Sequence, residues 1–161
     1  MKLQALFTIK DNQLQKKDGS IFPLEKAECL NSALCSSSTD LQGKEDALFF
    51  IKTPWSAIGK DESSYNEEFL ANLRDFLKKL EEISAFAFII PLADSPVTNQ
   101  QEKEDFTASC KHCARRIKDC ANLIGFSIPE EADPAYFIEE LRQKHPHYIF
   151  IQSEKGKITL K

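Results

Sequence analysis

The short motifs that announce cofactor or hydrolase chemistry are missing from this chain. It has no G-x-G-x-x-G to turn backbone against a pyrophosphate and no G-x-x-x-x-G-K-[ST] to cradle nucleotide phosphates. Nor has it an H-E-x-x-H for zinc or a G-x-S-x-G nucleophile elbow. Dinucleotide, P-loop, zincin and serine-hydrolase readings therefore lack support, and the sequence implies no cofactor and no metal. Long apolar runs are absent as well. Nothing approaches the roughly 20 residues of a membrane span, and the run in Met1-Lys-Leu-Gln-Ala-Leu-Phe7 is too short for a signal peptide. The expected location is cytoplasmic, with no membrane partner.

Charge of one sign is also lacking. Twenty-one Lys and Arg stand against 25 Asp and Glu, for a net charge of −4 with the signs mixed along the chain. No basic stripe alternates with exposed aromatics, so no nucleic-acid platform is expected. The 5 cysteines form an odd set. Cys110-Lys-His-Cys113 has the spacing of a zinc or redox pair, but no second C-x-x-C follows it. Phe106, Cys110, Cys113, Ile117 and Cys120 recur at helical spacing instead, which marks a buried stripe with cysteine acting as a small hydrophobe.

What remains is the composition of a globular domain, 42% apolar with 12 Phe. Residues 1–26 alternate and turn as an N-terminal hairpin, whose second strand carries Pro23 and so belongs at an edge. Residues 28–46 are a polar loop with a helical turn near Leu30 to Leu34. A βαβαβαβ core then fills residues 47–152. Its strands are the apolar runs from Ala47, Phe86, Asn122 and Tyr148. Its helices open at a Ser64-x-x-Glu67 capping box, at Asn99 with Glu102 three residues on, and at Asp133-Pro134. Lys155-Gly156 turns the end into a hairpin. Right-handed crossovers make this one α/β domain over 1–161 with a parallel sheet, either a partial (β/α) barrel or an open doubly wound sheet. In either, chemistry gathers at the C-terminal ends of the strands. There stand Lys52, Trp55, Asp94, Glu130 and Glu131.

The order of residues resembles the first half of a cellulase-type glycoside hydrolase of family 5 and its clan A relatives, which are TIM barrels. Phe7 to Leu24 is similar to the hairpin that caps the barrel bottom, and Leu48-Phe-Phe-Ile-Lys-Thr-Pro-Trp-Ser56 to barrel strand two, with Lys52 where an arginine is common. The strand ending Ile89-Ile-Pro-Leu-Ala-Asp94 is similar to strand three. Ala114 to Glu131 resembles helix three and strand four, whose motif ends Asn-Glu-Pro. On that motif Glu131 falls on the acid/base glutamate, Glu130 on the asparagine and Ala132 on the proline.

The resemblance implies a glycoside-hydrolase-like protein of carbohydrate metabolism, with Glu131 as catalytic acid/base and Lys52, Trp55, Asp94 and Glu130 as substrate contacts. Against those roles stand plainer ones: a solvated carboxylate before a helix for Glu131, a packing anchor for Trp55, a snorkelling lysine for Lys52 and a loop-initiating aspartate for Asp94. Retaining hydrolysis needs a second carboxylate about 5 Å from the first, which the family supplies from strand seven. With 161 residues against the roughly 250 of a complete barrel, the chain reaches about strand five. Adjacent strand residues face opposite ways, so Glu130 and Glu131 do not make the pair themselves. The expectation is therefore a half barrel, catalytically incomplete alone, a pseudoenzyme in that sense. It would bind carbohydrate, pair with another copy through an open sheet edge, or both.

Overall fold

The computed structural model describes residues 3–161; Met1 and Lys2, within the segment read above for a signal peptide, lie outside the described residues. The chain opens with three antiparallel strands, β1 (Phe7–Lys10), β2 (Gln13–Lys16) and β3 (Ile21–Phe22). Then come β4 (Glu28–Asn31), β5 (Leu48–Pro54), the short α1 (Trp55–Ile58) and α2 (Glu67–Glu82). They are followed by β6 (Phe86–Leu92), α3 (Gln100–Arg116), β7 (Leu123–Ser127), α4 (Pro134–Arg142), β8 (Ile149–Glu154) and β9 (Lys157–Leu160).

Strands β4 to β9 form one sheet in sequence order, parallel as far as β8, with β9 antiparallel at the edge. The apolar residues of all four helices join a single core with Phe49, Ile51, Ala87, Ile89, Phe126 and Phe150. Helices on one face and strands laid down in order are the winding of a (β/α) barrel, and they exclude the doubly wound alternative. The fold is thus mixed α/β, a partial barrel carrying an N-terminal antiparallel sheet.

The face opposite the helices is the one a closed barrel would turn inward. Leu48, Phe88, Ile124, Ile149 and Leu160 lie there, covered by Phe7, Leu14 and Phe22 of the small sheet. Phe7 and Phe22 meet Phe86 edge-on at 5.1 and 5.4 Å between centroids. The Asn12 amide clips the far edge, donating to Ile158 O at 2.7 Å while its oxygen accepts from Leu160 N at 2.8 Å. Because both faces are covered at this end, the strands read as continuous apolar runs.

Two expectations need correction. Residues 28–46 are not all loop: Glu28–Asn31 is the parallel edge strand β4, and Asn31 caps the 3-10 turn Ser32–Leu34 by accepting from Ala33 N. An edge strand paired on one side and half exposed shows no apolar alternation. Helix α2 is capped by Asn66, whose side-chain oxygen accepts from Phe69 N at 3.0 Å, while Ser64 Oγ is engaged with Asp61. At α3 the Asn99 oxygen accepts from Glu102 N at 2.9 Å, as the sequence indicates. Among the described residues no helix is long and apolar enough to cross a membrane.

Candidate functional site

All five candidate residues lie at one end of the parallel sheet, beyond or near the C-termini of β5, β6 and β7. They differ in where their side chains are engaged. Lys52, on β5, is exposed on the helix-free face, in register with Asn31 of β4 and Ile90 of β6. Among the described residues it has no ion pair or hydrogen bond. Phe50 lies two residues below it on the same face and Leu92, 39% exposed, continues the apolar surface along β6.

Glu130 and Glu131 stand in the turn between β7 and α4, past the buried Ile128 and Pro129. Glu130 is exposed, and Glu131 is half-buried beside Ala132, which joins the main core. Neither carboxylate has a hydrogen-bond or ion-pair partner among the described residues. The backbone of the turn is held by Ala132 N donating to Pro129 O at 3.1 Å. One strand separates β5 from β7, so Lys52 and Ser127 stand about 10 Å apart at the backbone by strand spacing. Glu131 follows four residues after Ser127.

Asp94, two residues past β6, accepts from Ser56 N at 3.1 Å and from the Ser56 hydroxyl. Desolvation pushes its carboxyl up, but the two Ser56 hydrogen bonds outweigh this and hold it below the usual carboxylate range. Its oxygens serve the β5–α1 junction. Trp55 is not an open platform. Its side chain is 3% exposed, stacked on Phe106 at 5.0 Å, with the indole N–H donating to Ser109 Oγ at 3.0 Å. The Ser109 hydroxyl in turn donates to Gly59 O at 2.7 Å. Trp55 therefore anchors α1 to α3, and a sugar ring has no face of it to lie on.

The cysteine stripe is buried throughout, with Cys110 and Cys113 on α3 and Cys120 in the turn beyond its end, all in the main core. Burial pushes the Cys113 and Cys120 thiols up to about 12 and Cys110 higher than its usual value. These are packing thiols. Among the described residues no three His, Cys, Asp or Glu side chains form a group that could hold a metal ion.

Sequence reasoning missed what lies on the helix layer. His112 reads as exposed, but it stacks on Tyr65 at 4.1 Å and pairs with Glu67 at 2.6 Å. Glu67 also meets Arg116 at 2.9 Å. His145 reads as a helix-end residue; it is 5% exposed and stacks on Tyr148 at 4.8 Å. The partners of His112 come from residues 45 or more positions away, so that contact has no local signature, whereas Tyr148 lies only three residues beyond His145.

No family model matches the chain, and no curated protein matches it by sequence. Among solved structures it is similar to the crystal structure of a GH5_18, a glycoside hydrolase family 5 member, from Bifidobacterium longum subsp. infantis. The TM-score is 0.51 at 10% identity over 66% of this chain. The matched region amounts to 34% of that protein, so the chain spans about a third of its length. At that identity the likeness is one of fold.

Proposed function

We propose that this chain is a glycoside-hydrolase-like half barrel that binds carbohydrate at the C-terminal rim of its sheet and is catalytically incomplete by itself. The observation that carries the reading is the winding of β4 to β8. Sequential parallel strands with all helices on one face bring Lys52, Glu130 and Glu131 to the end where barrels of this kind do their chemistry. The likeness of fold to a GH5_18 supports the same reading.

In this account Lys52 donates from its ammonium to sugar hydroxyls, and Glu130 accepts from them. Glu131, without a hydrogen-bond or ion-pair partner among the described residues, is the group able to protonate a glycosidic oxygen. Asp94 does not contact the sugar directly, since Ser56 occupies it, and Trp55 supports the rim from within. Of the later strands, β8 carries Glu154 to the same end, where it is exposed and accepts from Gln152 Nε2 at 2.9 Å. Double displacement would take a carboxylate about 5 Å from Glu131, from this chain or another polypeptide. Incubation with aryl glycosides across pH tests turnover. Any activity should vanish in Glu131→Gln, and activity that persists in that variant removes Glu131 from the acid/base role.

The sheet itself favours one further role, pairing between copies. Phe50 and Ile90 are half-buried and Leu92 is exposed on the helix-free face, and β4 leaves an open parallel edge. A second copy would cover that face and bring a second set of rim carboxylates. Solution mass decides it: a dimer that Leu92→Asp dissociates fits, and a wild-type monomer does not.

A further inference from the structure

Away from the rim, α3, α4 and the turns that follow them border an open cavity of about 450 Å³ lined by Lys111, Arg115, Lys118, Glu140, Lys144 and His145. That volume is within the range of small-molecule sites. Lys111 is neutralised by Glu140 at 2.9 Å. Arg115, Lys118 and Lys144 have no ion-pair partner among the described residues, so three like charges border one concavity. The last turns of α3 and α4 favour nearby cations through their partial negative charge, which accounts for some of this clustering. It does not account for the imidazole. His145 is 5% exposed, its ring makes no hydrogen bond among the described residues, and it lines the cavity. Its ring nitrogens are unpartnered but not sealed from solvent, so they remain open to a ligand in the cavity.

We propose that the α3–α4 cavity is a binding site for a small oxyanion, a phosphate or sulfate group on a compact molecule. Arg115 supplies a planar fork that matches two such oxygens, Lys118 and Lys144 supply point charges, and His145 supplies a neutral N–H from the wall. Burial, with the His147 and Lys118 charges, pushes the His145 ring down to about 4, so at neutral pH it carries one N–H donor and no charge. The site shares no residue with the rim and does not depend on what the rim binds.

The test is a titration of the full chain, followed by amide and imidazole resonances, with inorganic phosphate, inorganic sulfate and pyrophosphate in turn. Sodium chloride at matched ionic strength serves as control. The expected result is saturable shifts of Arg115, Lys118, Lys144 and His145 at low millimolar ligand or below. The double variant Arg115→Gln/Lys144→Gln should weaken binding by about tenfold or more. Preference for phosphate over sulfate, or the reverse, names the ligand class. Because both substituted side chains are charged and lie at the surface, a folded variant is expected, and its dispersed spectrum verifies that. Absence of saturation by about 10 mM, the same response to chloride, or unchanged affinity in the double variant each overturns the proposal.

Discussion

Asp94 accepts hydrogen bonds from both the amide and the hydroxyl of Ser56, tying the segment after β6 to the helix that follows β5. Two neighbouring strand ends are thereby fixed at the rim. Asp94→Ala should lower stability by about 1 kcal/mol, near the small end for charge-assisted bonds because the carboxylate is exposed. Its folded-state titration is depressed, so the contribution is present at neutral pH and is lost as pH falls through the folded value, below the ordinary carboxylate range. Denaturant unfolding of wild type and variant should differ at pH 7 and converge in acid.

The Trp55, Ser109 and Gly59 chain of hydrogen bonds is internal to the helix layer. Ser109→Ala leaves an indole N–H and a carbonyl without their partner, at about 1 to 3 kcal/mol. Trp55→Ala should cost about 3 to 5 kcal/mol by emptying the space beside Phe106. Trp55 is the sole tryptophan, so fluorescence reports on it directly. Blue-shifted emission that sugars do not quench is expected.

At Gly125, paired with Ile149 between β7 and β8, an added Cβ would lie 1.8 Å from the Ile149 carbonyl oxygen. The obstacle is backbone rather than a movable side chain. Gly125→Ala should therefore separate the two strands and cost at least the upper part of the overpacking range, about 3 kcal/mol. Unfolding midpoints measure it directly.

How much of this was legible beforehand depends on where each signal resides. The stripe on α2 and the cysteines on α3 carry their own periodicity, and Asn99 with Glu102 marks a helix start within four residues. Strand β4 was hidden because Glu28-Cys-Leu-Asn31 is polar and its partner strand begins at Leu48, a pairing no local pattern encodes. At the rim, the strand ends could be read, and so could the arrival of Lys52 and Glu131 there. The engagement of Asp94 with Ser56 and the burial of Trp55 under Phe106 could not. Each depends on a side chain 38 to 54 residues away or brought in by another helix.

His145 gives the protein a sensitivity to mild acid. Its folded-state value is lowered from 6.5 to about 4, by burial first and then by His147 and Lys118. Between those values the unfolded chain binds a proton that the folded chain refuses, so stability falls as pH drops from about 6.5 towards 4 and this contribution levels off below. The loss is on the order of 2 to 3 kcal/mol. His145→Phe, which keeps a ring against Tyr148, should flatten that part of the pH profile in phosphate-free buffer.

The most direct test of the rim account is an amide-resonance titration of the 18.3 kDa chain with short oligosaccharides of differing linkage. Saturable shifts concentrated at Lys52, Ser127, Glu130 and Glu131, and abolished by Lys52→Ala with Glu130→Ala, are the outcome it requires. Shifts confined to the helix layer, or a spectrum indifferent to every sugar, would contradict it.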